Sequence, residues 1–168
     1  TENKLDEIKS AVNLGADDID VVINYELFKK GEYDYIVNQV KECTTLCLSN
    51  NKTIKWIIES AALSDNEIID ICQLIRDVVV DNFGQNNAHN VFVKSSTGFY
   101  VSPDLTPNGA TVSAIKLMLD NSSPLPVKAS GGIRDIEDFK KMVDLGVKRI
   151  GTSSALSILH SKQSDSNY

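Results

Sequence analysis

Two segments of this chain place a lysine at the end of a short apolar run and follow it with small hydroxyl residues and glycine: VKSSTGF at 93–99 and PVKASGGIR at 126–134. A lysine at the carboxyl end of a buried strand sits in low dielectric, which disfavours its charged form. A neutral amine can attack a carbonyl carbon and form a Schiff base. A second ammonium close by pushes in the same direction, because two like charges resist coexisting. Lys94 and Lys128 are therefore a candidate nucleophile and its tuner. The alternative is a pair of surface lysines with snorkelling stems. It accounts for one such segment more readily than for two.

The elements that must position these lysines follow from periodicity. Apolar spacing predicts helices over Lys4–Leu14, Tyr33–Leu48, Ser64–Val80, Pro107–Asp120, Asp135–Leu145 and Ser153–His160. Ser64 and Glu67 can form a capping box at the start of the third. Short β-branched runs predict strands near 19–23, 54–58, 91–94, 126–128 and 149–151, and Asn82–Asn90 reads as an Asn-rich loop. Strict alternation of strand and helix implies parallel strands with right-handed crossovers. A (β/α)8 TIM barrel has eight strands and ~250 residues. The five strands predicted in 168 residues are expected to be the last five βα units of such a barrel. On that count residues 1–168 form a single catalytic barrel domain whose N-terminal portion is missing. Such an open set should leave Asp20, Lys55 and Lys94 facing bulk water. A complete five-stranded doubly wound sheet is the competing arrangement.

Side chains alternate along a strand. With the apolar sets turned toward the helices, Asp20, Lys55, Glu59, Lys94 and Lys128 fall on one common face. Buried charges persist only when paired. The face thus reads as a balanced set of carboxylates and amines suited to proton transfer, or as a structural ion-pair network. Two further segments, Gly131-Gly132-Ile133-Arg134 and Gly151-Thr152-Ser153-Ser154, lie at the last two strand-to-helix junctions. In barrels these junctions often bind phosphate through free helix N-terminal amides. A phosphate-bearing substrate is the expectation.

Composition excludes other classes. A net charge of −6 argues against nucleic acid and anionic membrane surfaces as partners, and no apolar run approaches the ~20 residues of a bilayer span. Cys43, Cys47 and Cys72 have no framework spacing, which fits reduced thiols in a cytoplasmic protein. Only His89 and His160 could help them hold zinc, so no metal is expected.

The segments GADDIDVVINY (15–25), IKWIIES (54–60), FVKSSTGF (92–99), VKASGGIR (127–134) and RIGTSS (149–154) closely resemble the deoxyribose-phosphate aldolase family, over nearly the whole chain. The resemblance implies a (β/α)8 fold and a class I aldolase that needs no cofactor. Such an enzyme reversibly cleaves 2-deoxy-D-ribose 5-phosphate to acetaldehyde and D-glyceraldehyde 3-phosphate. It also implies that Lys94 is the Schiff-base lysine, that Lys128 is the neighbour that tunes it, and that Asp20 joins Lys128 in a proton relay through water. Gly98, Gly131, Gly132, Gly151, Ser153 and Ser154 match phosphate-binding positions. Tyr168 matches a C-terminal tyrosine that assists proton transfer at the carbon alpha to the imine. Ser95 stands where threonine is common. A different Schiff-base aldolase, an isomerase, or a phosphate-binding fragment without activity are the other readings, and a homo-oligomer is compatible with all of them.

Overall fold

Strands and helices alternate through the computed structural model, which describes residues 1–101 and 109–164. Helix α1 (Glu2–Asn13) leads into β1 (Asp18–Val22). Asn24 then caps a one-turn helix α2 (Tyr25–Lys29), its side chain accepting from the Leu27 amide at 3.2 Å. This turn has no apolar period, so the sequence does not announce it. Helix α3 (Tyr33–Ser49), strand β2 (Thr53–Ile57) and helix α4 (Asp65–Phe83) follow. The capping box at Ser64 and Glu67 forms as expected.

The Asn-rich stretch is ordered rather than a loop. α4 runs on to Phe83, and residues Gln85–Asn90 make a 3-10 turn. The asparagines themselves allow this: the Asn82 and Asn87 amides donate to the carbonyls of Val78 and Phe83 at 2.8 and 2.7 Å. Carbonyls at a helix end need such partners. Strand β3 (Val91–Lys94), helix α5 (Val112–Ser122), strand β4 (Val127–Ser130), helix α6 (Ile136–Leu145), strand β5 (Arg149–Gly151) and helix α7 (Ala155–Ser164) complete the chain. α5 starts later than its period suggests. Thr111 caps it, accepting from the Ala114 amide, and positions 107–108 of the expected helix lie outside the described residues.

All strand pairs are parallel, and the spatial order is β1-β2-β3-β4-β5. A doubly wound sheet reverses its strand order at a switch point. Unbroken sequential order is the winding of a barrel wall. The five βα units therefore follow the barrel alternative. The outward faces of the strands meet the helices in one core. Ile19, Val21, Trp56, Val93 and Val127 pack there with Ile36, Val40, Ile71, Ile75, Ile115 and Met118. The one buried indole N–H, on Trp56, donates to Thr44 Oγ1 at 3.2 Å. The three cysteines are free and buried in the same layer, and burial pushes the Cys47 and Cys72 thiols up to about 12.

The sheet coils strongly enough for its first and last strands to meet through side chains. Arg149 Nη1 on β5 donates to Asp18 Oδ1 on β1 at 2.6 Å. The same guanidinium lies 4.4 Å from the centroid of the Phe92 ring. This coiling corrects one expectation. Lys55 and Lys94 do not face bulk water in the five-stranded set but are each 6% exposed.

One close approach ties the chain after residue 108 to the carboxyl end of the sheet. The Ala110 amide donates to the Gly131 carbonyl at 3.0 Å, and a Cβ on Gly109 would stand 2.5 Å from the Gly131 carbonyl carbon. Gly109 also has φ of +113°. A Gly109→Ala substitution should therefore cost about 2 kcal/mol of unfolding free energy. Urea unfolding monitored by Trp56 fluorescence checks this, and an unchanged midpoint would contradict the close packing.

Candidate active site

In parallel neighbours, residues opposite in register point to the same side of the sheet. Asp20 is opposite Lys55, Lys94 is opposite Lys128, and Lys128 is opposite Arg149. The inward face thus carries Asp18 and Asp20 on β1, Lys55 on β2, Lys94 on β3, Lys128 on β4 and Arg149 on β5. The apolar Ile19, Val21, Trp56 and Val93 occupy the alternate positions, so the period-2 pattern that buries the outer face also gathers these charges.

Asp20 is the hub. Lys94 Nζ donates to its Oδ2 at 2.8 Å, and Lys55 Nζ lies 3.1 Å from its Oδ1. Lys55 also lies 3.7 Å from Asp18 Oδ1. Burial alone would raise Asp20, but the hydrogen bonds from Lys94 and Lys55 outweigh it and hold the carboxyl below its ordinary value. Asp18 is lowered in the same way, its burial offset by the hydrogen bond from Arg149 and the charge of Lys55.

Lys128 differs from its neighbours. It forms no ion pair among the described residues. Burial lowers its ammonium below the ordinary lysine value, and the charges of Lys94, Lys55 and Arg149 lower it further, against the pull of Asp20. Gly151 makes room for it. A Cβ there would stand 3.2 Å from Lys128 Cε and 2.7 Å from Ser130 Oγ. Four cations face two carboxylates on this surface, a local positive surplus in a chain whose net charge is −6.

Beyond the lysines, on the same face, Ser130 lies opposite Gly151. A cleft of about 450 Å³ opens there, lined by Thr97, Gly98, Phe99, Ser130, Gly131, Gly132, Ile133, Arg134, Gly151, Thr152 and Ser153. That volume suits a small molecule. The step from Lys128 to Ser130 along β4 is about 7 Å. The amides of Gly132 and Ser153 donate to no protein acceptor among the described residues. Two other sequence-derived positions have committed amides. Gly98 N–H donates to Ser96 Oγ and Ser154 N–H to Thr152 Oγ1, each at 2.9 Å, and Ser154 is not part of the cleft lining. Tyr168 lies outside the described residues.

The structure thus gathers Asp20, Lys94 and Lys128 on one face and lines the adjoining cleft with Gly98, Gly131, Gly132, Gly151 and Ser153. Two participants were not singled out from sequence. Lys55 was one inward charge among several, and its bond to Asp20 needs the β1–β2 register. Arg149 reaches Asp18 across 131 residues of sequence, a distance at which no local pattern carries information.

A model of the DeoC/LacD aldolase family matches residues 1–161. A deoxyribose-phosphate aldolase from Staphylococcus epidermidis is 40% identical over 163 residues, covering 96% of this chain and 66% of that protein. One from Clostridium kluyveri is 41% identical, with 96% of this chain and 67% of that protein covered. Among solved structures, deoxyribose phosphate aldolase from Aeropyrum pernix, described as having a unique tetrameric structure, superposes with a TM-score of 0.75 at 30% identity. That match covers 97% of this chain and 62% of the other. The chain spans about two thirds of the length of these curated relatives.

The isolated charge on Lys128 makes a thermodynamic prediction. Its folded value lies below the ordinary 10.5. Between the two values the unfolded chain binds more protons than the native one, so stability rises with pH there. Below that window the charged amine is a standing cost to the fold. Lys128→Met should therefore unfold at a higher temperature than the parent at pH 7, with the gap closing as pH approaches 10.5. Thermal melts across this range check it, and a gap independent of pH would contradict the assignment.

Proposed function

The chain belongs to the DeoC/LacD aldolase family, and on that premise we propose that it carries the Schiff-base chemistry of a class I aldolase acting on 2-deoxy-D-ribose 5-phosphate. The observation that carries this reading is Lys94. It is buried at the carboxyl end of β3, shares Asp20 with Lys55, and stands opposite Lys128 in register.

Lys94 must lose a proton before it attacks, and Asp20 Oδ2 at 2.8 Å is the acceptor in reach. The lowered carboxyl retains a proton poorly. Lys128, whose positive charge opposes a second one on Lys94, joins Asp20 in the relay that carries the proton onward through water. The Lys94 nitrogen bonds to the aldehyde carbon C1 of the open-chain sugar, and loss of water gives the protonated imine. The C3 hydroxyl then gives its proton to water in the same relay, and the C2–C3 bond breaks. Its electron pair moves into the imine, leaving an enamine on Lys94 and releasing glyceraldehyde 3-phosphate. Protonation of the enamine at C2 and hydrolysis release acetaldehyde and restore the amine. Tyr168 is the residue proposed for protonation at C2, by resemblance alone.

The phosphate end of the substrate fits the cleft around Gly131, Gly132, Gly151 and Ser153. The Gly132 and Ser153 amides are free to donate to it, and the positive surplus of the inward face draws an anion toward them. A phosphorylated sugar is thus the proposed small-molecule partner. Assembly into a homo-oligomer is part of the same proposal, supported by the tetrameric A. pernix relative. So is a cytoplasmic location, supported by three free, buried thiols. No helix among the described residues is long and apolar enough to cross a membrane.

Incubation with acetaldehyde, reduction with borohydride and peptide mapping should place the adduct on Lys94. In Lys128→Leu the trapping rate should fall, and its pH profile should move to higher pH, because a neighbouring positive charge has been removed. An adduct elsewhere with Lys94 untouched would overturn the assignment. No adduct at all would favour a phosphate-binding role without aldolase chemistry.

A further inference from the structure

At the end of β2 the chain turns through Glu59, whose backbone is left-handed, with φ 54° and ψ 62°. A residue with a β-carbon seldom adopts this conformation. Strain of this kind persists where the surroundings over-determine it. Glu59 is also 3% exposed, and a buried carboxylate is costly unless donors surround it.

Among the described residues, the donors it finds all come from one segment. Ser96 Oγ donates to Oε1 at 2.5 Å, while Thr97 Oγ1 and the Thr97 amide donate to Oε2 at 2.6 and 3.2 Å. Each hydroxyl then accepts from an amide two residues on: Gly98 N–H to Ser96 Oγ at 2.9 Å, and Phe99 N–H to Thr97 Oγ1 at 3.1 Å. One carboxylate therefore anchors two parallel relays that fix the backbone from 96 to 99. Its neighbours extend the sheet on either side, with Ile58 N–H donating to the Lys94 carbonyl at 3.0 Å and Ser60 N–H to the Ser95 carbonyl at 2.8 Å. The left-handed turn at Glu59 lets its side chain reach the loop at this point.

That loop follows Lys94 directly, and Thr97, Gly98 and Phe99 form one wall of the anion cleft. We propose that Glu59 is a positioning residue that locks 96–99 into the shape of that wall without touching the substrate. The proposal rests on the aldolase reading of the site. It makes Glu59 the link between the lysine end and the phosphate end. A carboxylate is required because three donors converge on two oxygens. A glutamine would turn an NH2 group toward one of them and break a relay.

The test uses the whole chain with inorganic phosphate as the probe, alongside acetaldehyde trapping at Lys94 and amide exchange at Val93, Gly98 and Phe99. In Glu59→Gln, phosphate affinity should fall about tenfold and exchange at Gly98 and Phe99 should rise. Trapping at Lys94 should change by less than about twofold. Thr97→Val removes one relay only and should show a smaller loss of phosphate affinity in the same direction. If Glu59→Gln fails to fold, as protection at Val93 reports, Thr97→Val decides. Unchanged phosphate affinity in a folded variant would overturn the proposal. So would a loss of trapping as large as the loss of phosphate affinity, or a parent chain that binds no phosphate. A parent chain that binds phosphate but shows no adduct at Lys94 would instead contradict the aldolase reading, and the phosphate comparison would still decide the role of Glu59.

Discussion

The Asp20 carboxylate, divided between Lys55 on one oxygen and Lys94 on the other, is the interaction on which the inward face depends. Lysines brought out of water on adjacent strands repel one another, and a charge left uncompensated there costs several kcal/mol. A single carboxylate between two of them makes the arrangement tenable. It also keeps one amine, Lys94, within proton-transfer distance of an acceptor. Asp20 lies on β1 and Lys94 on β3, and in a barrel the inward side chains of alternate strands share a layer. The geometry that packs the wall therefore also sets Asp20 and Lys94 side by side.

Lys128 is the complement of that pair. Among the described residues it has no carboxylate of its own, so the fold carries it at a cost, and Gly151 leaves it the space to remain. Stability lost at one amine raises the fraction of that amine able to accept a proton. Arg149 completes the field from the far edge, bound to Asp18 and stacked on Phe92. Four cations against two carboxylates give an acidic protein a locally positive face. Such a face attracts an anion against the net charge of the molecule.

Much of this was legible in the chain. The period of 2 in Ile19–Ile23 and Ile54–Ile58 assigns Asp20 and Lys55 to the inward side. Strict alternation of elements implied parallel pairing, and Ser64 with Glu67 marked the start of α4. The illegible parts share a physical cause. Which cation takes which oxygen of Asp20 depends on strand register, and the Arg149–Asp18 contact depends on how far the sheet coils. Glu59 looked like one more inward charge, because a left-handed φ leaves no mark on residue type. The Asn82–Asn90 stretch departs from the loop its composition implies because asparagine, which favours turns in isolation, here satisfies carbonyls at a helix end.

The central claim is that Asp20 couples Lys55 to Lys94 rather than lying beside them. A double-mutant cycle measures this most directly, using the unfolding free energies at pH 7 of the parent, Asp20→Asn, Lys55→Met and the double variant. Each single change leaves a partner uncompensated, whereas the double change removes both ends of one contact. The double variant should therefore be less destabilised than the sum of the singles, by more than about 0.5 kcal/mol. Effects that add to within about 0.3 kcal/mol would contradict the account, since the three side chains would then be neighbours without being partners.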